Sequence, residues 1–227
     1  MKKVIIGGPV RARGWVLPRW FEAVRALEVP EGVLVETAFL LSPSEDDTKD
    51  IVTWNADYVI FDSEAGRTVE EIEGHFWGGS SYDYMARIRN DWLDFAWAQG
   101  ADYVFSLDSD ILLPPTALVS LLERIGERPG VVSPALNLGQ HGLAWNVMAW
   151  SNPDVPGQAY RPDGVEPAEG YADIVCAALL MDQTASAVRF AAHPQGEDIG
   201  FCIDAHRKGV ARWWAKEVLC DHLMRRC

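Results

Sequence analysis

Segments with the pattern of buried strands alternate with segments of helical periodicity along most of the chain, and this alternation constrains the fold more than any other feature. Short apolar runs bounded by turn residues predict strands, whereas apolar residues spaced three or four apart predict helices. The predicted strands cover residues 3–7, 32–41, 58–62, 103–107, a segment from 131, 171–182 and 211–219, the predicted helices cover 15–28, 83–98, 114–124 and 197–208, and residues 137–170 predict a hairpin and a loop. This alternation predicts the α/β class, as a Rossmann-like α/β/α sandwich with a mostly parallel central sheet.

Length and composition agree with one domain. The chain has 227 residues, of which 48% are hydrophobic and 23% charged, so it can bury a core and does not have the composition of a disordered segment. No apolar run reaches the roughly 18 to 20 residues that span a bilayer, and the stretch after Met1 is too short for a signal peptide. We therefore expect a single soluble domain in the cytoplasm, without a membrane partner. The four cysteines lack the spacing of a zinc site.

The charge is distributed unevenly. The net charge of −13 argues against non-specific nucleic-acid binding, which needs a broad basic face. The first 25 residues nevertheless carry six basic side chains against the single acid Glu22, the basic ones being Lys2, Lys3, Arg11, Arg13, Arg19 and Arg25. This cluster is consistent with a phosphorylated ligand or a nucleic-acid backbone, and equally with a solvated helix face.

Two carboxylates separated by one residue follow the apolar segment 103–107. In open α/β folds, ligands bind beyond the carboxyl ends of the strands, where Asp108 and Asp110 are expected. Two nearby carboxylates repel each other unless a cation lies beside them, and Mg²⁺ or Mn²⁺ binds carboxylate and phosphate oxygens alike. The segment predicts either a divalent-cation site or a turn in which an Asp caps the helix beginning near Pro114.

Two further segments contain residues suited to chemistry. Glu197 and Asp198 open a predicted helix, where acids are also favoured by capping and the helix dipole, so a structural role stays open. His222 follows the last predicted strand, 24 residues after Asp198. A helix and a strand lie between them, and this spacing could return the imidazole to the same edge of the sheet.

In their order and spacing, these three segments resemble the nucleotide-sugar glycosyltransferases of the GT-A fold, family 2-like members in particular. The resemblance extends over most of the chain. The run Pro9-Val10-Arg11 resembles the turn after the family's first strand, and the loop around Ser44 resembles its Ser/Asp/Thr-rich loop. Arg89-Asn90 resembles the Arg-Asn pair in the helix that precedes the D-x-D strand.

The resemblance implies a metal-dependent enzyme that moves a sugar from a nucleotide-diphosphate sugar, UDP-sugar favoured, to an acceptor hydroxyl. It implies one GT-A type domain over residues 1–227, with a nucleotide-sugar-binding half at 1–112 and a half for the acceptor and the base at 113–227. The implied roles are nucleotide-sugar binding for Pro9, Val10, Arg11, Ser44, Arg89, Asp108, Ser109 and Asp110, ligation of Mn²⁺ or Mg²⁺ for Asp108, Asp110 and His222, and catalysis for Glu197 and Asp198, with Asp198 as the general base of an inverting reaction.

The acceptor is predicted only in outline. Trp145, Asn146 and Trp150 lie in a Gly- and Asn-rich stretch and are the predicted acceptor-binding residues, because aromatic faces stack on sugars and bases. Tryptophan also commonly fills cores. The compact form resembles bacteriophage-encoded members, some of which glycosylate hydroxymethylated pyrimidines in DNA. Such a base in phage DNA is therefore a candidate acceptor, although the net charge opposes tight DNA binding.

Other classes fit the residues less well. In phosphatases of the haloacid-dehalogenase type, a D-x-D motif follows the first strand of the domain, whereas Asp108 lies well inside the chain. A nucleotidyltransferase would share the α/β architecture and a metal-binding acid, but the Gly-rich basic loop of that class does not follow Gly7-Gly8-Pro9. A non-catalytic nucleotide-sugar-binding module would keep the fold without needing a base. The last two stay open as alternatives.

Overall fold

A computed structural model describes residues 1–62, 79–137, 146–150, 159–160 and 170–223. Its strands are β1 (Lys2–Val10), β2 (Val33–Leu41), β3 (Tyr58–Phe61), β4 (Tyr103–Leu107), β5 (Ile111–Leu112), β6 (Val131–Asn137), β7 (Val147–Trp150), β8 (Ala159–Tyr160), β9 (Ile174–Val175), β10 (Ala178–Asp182) and β11 (Arg212–His222). Its helices are α1 (Leu17–Arg25), α2 (Thr48–Asn55), α3 (Gly79–Ala98), α4 (Ala117–Glu127) and α5 (Glu197–Arg207). Across these ranges, no helix has the length and apolar character needed to cross a membrane.

The central sheet has the strand order β3-β2-β1-β4-β10-β6-β11-β5. Strands β3, β2, β1 and β4 run parallel, as do β6 and β11, whereas β10 and β5 are antiparallel to their neighbours. Helix α3 packs on β1, β2 and β4, and α4 packs on β6, β10 and β11. The predicted α/β class with a mostly parallel sheet is confirmed. The antiparallel pair β7–β8 is the hairpin expected within 137–170.

Strand β1 lies between β2 and β4 in the parallel half of the sheet, and its residues are suited to this buried position. Val4, Ile5 and Ile6 are consecutive and fully buried, as is typical of a strand whose sheet is covered on both faces. Helix α3 is fixed against the neighbouring strand by Trp92, whose indole N–H donates to the Ala38 carbonyl at 2.9 Å. This anchor lies one helical turn beyond Arg89, so it also fixes the part of α3 that faces the carboxyl edge of the sheet.

The strand predicted over 171–182, the segment 48–55 and the last strand differ from the sequence prediction. The strand predicted over 171–182 is two strands, β9 and β10, because Ala177 between them has a φ of 68° that interrupts the extended backbone. The helix α2 was not predicted, and it follows the loop that contains Ser44. The last strand reaches His222, three residues beyond its predicted end, after an irregularity between Ala215 and Leu219.

We expect Gly7→Ala to lower the free energy of unfolding by about 3 kcal/mol or more. Gly7 has a φ of 147°, and a Cβ placed there would lie 1.9 Å from the Ala38 carbonyl oxygen, which also accepts the Trp92 hydrogen bond. Urea unfolding measures the change. Gly126→Ala in α4 is the matched control, since nothing lies within 4 Å of its Cβ position and alanine in a helix is favoured over glycine by about 1 kcal/mol. A Gly7→Ala protein as stable as the wild type would contradict the prediction.

Candidate active site

The D-x-D segment and the acidic pair of α5 meet at the carboxyl edge of the sheet through one backbone residue. Strand β4 ends there and the antiparallel β10 begins there. The Asp108 amide donates to the Ala177 carbonyl at 3.0 Å, and the Ala177 amide donates to Asp198 Oδ2 at 3.3 Å. The left-handed backbone of Ala177 is a conformation that costs a non-glycine residue about 1 kcal/mol or more. Its backbone links the two acidic segments.

The short strand β5 places His222 beside Asp110. In the antiparallel pairing of β5 with the end of β11, His222 lies opposite Ile111, and the Leu223 amide donates to the Asp110 carbonyl at 2.8 Å. His222 Nε2 consequently lies 3.2 Å from Asp110 Oδ1. Burial by itself would raise the pKa of Asp110, but the hydrogen bond and charge of His222, with a contribution from Arg13, hold it below its ordinary value. Asp110 is therefore a carboxylate at neutral pH.

Arg89 joins the two acidic segments from the side of α3. Its guanidinium donates from Nη2 to Asp108 Oδ1 at 2.8 Å and from Nε to Glu197 Oε1 at 2.9 Å. Burial alone would lower the pKa of Arg89, but the surrounding carboxylates outweigh it and raise that pKa well above its ordinary value. The next residue, Asn90, exchanges two hydrogen bonds of 2.9 Å with the backbone of Phe190, which fixes the segment that leads into α5.

Asp198 is a carboxyl group whose pKa is raised far above its ordinary value. Its Oδ1 is buried and accepts no hydrogen bond from the residues that the structure describes. Burial raises the pKa of Asp198 to about 8, with Glu197 and Asp108 adding to the rise and Arg89 opposing it. Burial likewise raises the pKa of Asp108. The charge of Asp110 adds to this rise, whereas the charge of Arg89 opposes it. The site thus contains a stable carboxylate, Asp110, and a second carboxyl group, Asp198, that exchanges its proton near neutral pH.

The residues at Asp110 fit a divalent cation that shares its coordination with a substrate. A carboxylate oxygen and an imidazole nitrogen are both acceptable to Mn²⁺, whereas Mg²⁺ prefers oxygen alone. Over the part of the chain that the structure describes, no three His, Cys, Asp or Glu side chains are grouped so as to hold a metal ion. Such cations commonly complete their shell with water and substrate phosphates. Asp110 and His222 therefore suit an ion that binds together with a diphosphate, with Asp108 nearby.

The other residues predicted to bind the nucleotide sugar lie at the same edge or are exposed. Pro9 and Val10 end β1, Ser109 is buried between the two aspartates, and Ser44 lies in the loop after β2. Arg11 is exposed and makes no contact with a carboxylate in the described ranges. These contacts stay predictions.

Arg13 contacts the site and was not among the predicted site residues. Its Nε lies 3.7 Å from Asp110 Oδ2. The signal in the sequence was the basic cluster of the first 25 residues. That cluster does not show which of its members turns inward.

The predicted acceptor residues have different surroundings. Trp145 lies outside the described residues. Trp150 is only 2% exposed. Asn146 is fully buried, and its amide bonds to Ser133 Oγ and the Pro134 carbonyl, both at 2.9 Å. Asn146 thus has a structural role in joining β6 to β7, and acceptor contact by any of the three stays a prediction.

No protein-family model matches the sequence, and no characterised protein matches it by sequence alone. Solved structures do share its fold. TarS 1–349 of S. aureus, in complex with UDP-GlcNAc, is 15% identical, with a TM-score of 0.60 over 98% of this chain and 59% of that one. The mannosyltransferase PcManGT of Pyrobaculum calidifontis, in complex with GDP-Man and Mn²⁺, is 12% identical, with a TM-score of 0.60 over 97% and 56%.

A third similar structure is the glucosyl-3-phosphoglycerate synthase of Mycobacterium tuberculosis, in complex with Mn²⁺, UDP and glucosyl-3-phosphoglycerate. It is 18% identical, with a TM-score of 0.59 over 99% of this chain and 72% of that one. The chain spans 36% of the longer TarS structure and about three fifths of TarS 1–349. At these identities the likeness shows a common fold.

Proposed function

We propose that this chain, which has the fold of the GT-A glycosyltransferases, is a metal-dependent glycosyltransferase. It moves a sugar from a nucleoside-diphosphate sugar, UDP-sugar favoured, to an acceptor hydroxyl. The observation that carries the proposal is the pairing, at one sheet edge, of the Asp110 carboxylate and its contact with His222 with Asp198, whose pKa is about 8. The first arrangement suits a leaving diphosphate and its cation, and the second suits a base.

On the donor side, Asp110 and His222 would hold Mn²⁺ or Mg²⁺, with Asp108 contacting the cation or the nucleotide ribose. A bound divalent cation neutralises charge on the diphosphate and so makes it a better leaving group. The bonds from Arg89 hold Asp108 and Glu197 in place, which favours a role in orienting these acids. The nucleotide-sugar contact predicted for Arg89 stays a prediction.

On the acceptor side, Asp198 would accept the proton of the hydroxyl as its oxygen attacks the anomeric carbon. The new C–O bond forms as the bond to the diphosphate oxygen breaks, and this direct displacement inverts the anomeric configuration. A base works best when its pKa lies near the working pH, and Oδ1 of Asp198, which no described residue hydrogen-bonds, can take the proton. Glu197, held by Arg89, would contact a sugar. Inversion is part of the proposal and is read from the anomeric NMR signals of the product.

The acceptor itself is not part of the proposal. DNA with a hydroxymethylated pyrimidine, raised by the sequence as a candidate, draws no support from Lys2 and Lys3. Lys2 bonds to Tyr103, Lys3 pairs with Glu36, and both begin β1, at the end opposite the site. Neither forms a basic surface next to Asp198.

A thermal-shift screen tests the donor class. UDP, GDP and their sugar conjugates are each added with and without Mn²⁺, and at a hundredfold excess over Kd we expect a rise of about 5–10 °C for the preferred nucleotide. Asp110→Ala should remove the Mn²⁺-dependent part of the rise. Asp83→Ala, an exposed acid on α3, is the control and should keep it. The absence of a shift with every nucleotide would overturn the proposed function.

A further inference from the structure

We propose that Arg13 binds the diphosphate of the donor, and that Arg13 and the divalent cation share the Asp110 carboxylate. The inference rests on the proposed function and adds a residue to it. Its consequence is that the cation alone binds weakly and binds tightly only together with a nucleoside diphosphate. Arg13 would thus couple the two ligands thermodynamically, since the anionic diphosphate draws the guanidinium away from the carboxylate.

The position of Arg13 supports this role. Asp110 has one basic group at each oxygen, with His222 Nε2 3.2 Å from Oδ1 and Arg13 Nε 3.7 Å from Oδ2. At 3.7 Å the guanidinium attracts the carboxylate without forming a hydrogen bond to it. The Arg13 side chain is 18% exposed, so it lies largely inside the protein with an edge open to solvent.

The donors of Arg13 are largely uncommitted. Among the described residues, its guanidinium makes one long hydrogen bond, from Nη1 to the Ala12 carbonyl at 3.4 Å. Arg89, in contrast, bonds to both Asp108 and Glu197. A guanidinium presents a planar set of N–H groups that matches phosphate oxygens. Of these two arginines, Arg13 thus has the larger share of its donors uncommitted among the described residues.

The backbone around Arg13 is held in an unusual conformation that directs the side chain to this place. Ala12 has a φ of 51°, a left-handed conformation that costs a non-glycine residue about 1 kcal/mol or more. The amides of Arg13 and Gly14 donate to Thr48 Oγ1 at 2.7 Å and Asp46 Oδ2 at 2.9 Å. These bonds tie the segment after β1 to the segment after β2. Strain retained beside a site is typical of a positioned functional residue.

The charges explain why such a residue is needed. Asp108, Asp110, Glu197 and Asp198 converge on the site, and a diphosphate adds further negative charge. The positive charge of Arg89 compensates Asp108, Glu197 and Asp198, as the raised pKa of Arg89 indicates. The other members of the basic cluster are turned elsewhere: Lys2 and Lys3 bond to Tyr103 and Glu36, Arg25 bonds to Asn55, and Arg11 and Arg19 are exposed.

Arg13→Gln tests both parts of the proposal with opposite expected signs. Isothermal titration with UDP in EDTA should show affinity reduced about 10- to 100-fold, because a charge-assisted contact to phosphate is lost. Titration with Mn²⁺ alone, followed by the electron paramagnetic resonance of the free ion, should show affinity increased several-fold, because a positive charge beside Asp110 is gone. Arg13→Lys keeps the charge without the planar donors, and it should lie between wild type and Arg13→Gln for UDP.

Arg19→Gln is the matched control, since it makes the same change of charge at an exposed position of α1, and it should leave both affinities within about twofold. Melting without ligand verifies that each variant is folded. Equal UDP affinity in wild type and Arg13→Gln overturns the diphosphate role, and unchanged or weaker Mn²⁺ binding overturns the sharing of Asp110. A wild-type protein that binds no nucleotide even with Mn²⁺ present overturns the proposed function instead, so the two failures are distinguishable.

Discussion

Replacing Asp198 with Asn should lower the rate of sugar transfer by about 10²–10⁴-fold and leave donor affinity within about twofold. The substitution keeps the shape of the side chain, and an amide oxygen can still accept the Ala177 hydrogen bond. It removes the ability to take a proton. With the acceptor unidentified, the measured reaction is release of UDP from a UDP-sugar, in which water takes the acceptor's place.

The pH dependence strengthens this test. A carboxyl with a pKa of about 8 is protonated below that pH and cannot act as a base, so kcat/KM of the wild type should rise with pH towards about 8. Asp198→Asn should lose this rise. Asp204→Asn in the same helix is the control, since Asp204 bonds to the Arg189 amide and to Lys208. A residual rate within tenfold of wild type would exclude Asp198 as the base, and donor binding without turnover by the wild type would indicate a non-catalytic module.

The same substitution should change how stability depends on pH. The folded protein holds a proton on Asp198 between about pH 4 and pH 8 that the unfolded chain has released. The contribution of this group to the free energy of unfolding therefore falls as pH rises through that range and is constant above it. Asp198→Asn abolishes the fall. Urea unfolding of both proteins at pH 5.5 and pH 9 measures it, and equal slopes would contradict the raised pKa.

Replacing Arg89 with Met should be the most destabilising change at the site, by about 3–5 kcal/mol near pH 8. Arg89 is buried and compensates Asp108, Glu197 and Asp198, which would be left together without a cation. The pKa values of Asp108 and Asp198, already raised, should then rise further, so protonation at lower pH would relieve the repulsion. The loss should accordingly be smaller at pH 5.5 than at pH 8.

A surface ion pair provides the comparison for Arg89. Arg124 bonds to Glu217 at 2.7 Å, but the Glu217 side chain is 46% exposed, and such pairs contribute about 1 kcal/mol or less. Arg124→Met should therefore cost little at either pH. Urea unfolding at the two pH values measures all three proteins. A loss from Arg89→Met of less than about 1 kcal/mol at pH 8, or an equal loss at both pH values, would show that Arg89 does not compensate these acids.

Where the pattern of neighbouring residues determines structure, prediction from the sequence was accurate. The strand Tyr103–Leu107 was predicted with its observed bounds, because a short buried apolar run ends there at Asp108. Helix α5 begins at Glu197 as predicted, since glycine followed by two acids is a strong start for a helix. By contrast, α2 was not predicted, because Thr48–Asn55 mixes polar residues with a Trp54 that remains 86% exposed.

The sequence by itself determined the α/β alternation and the acids that end its strands, since both depend on periodicities and turn residues within a few positions. The tertiary structure decided how the acids are paired. Contacts between residues distant in the chain bring these acids together. The Ala177 amide bonds to Asp198, and Arg89 joins Asp108 to Glu197. Arg13, rather than Arg11, lies against Asp110. Such pairings depend on how strands and loops pack and on how buried charges are compensated, and no local pattern encodes either.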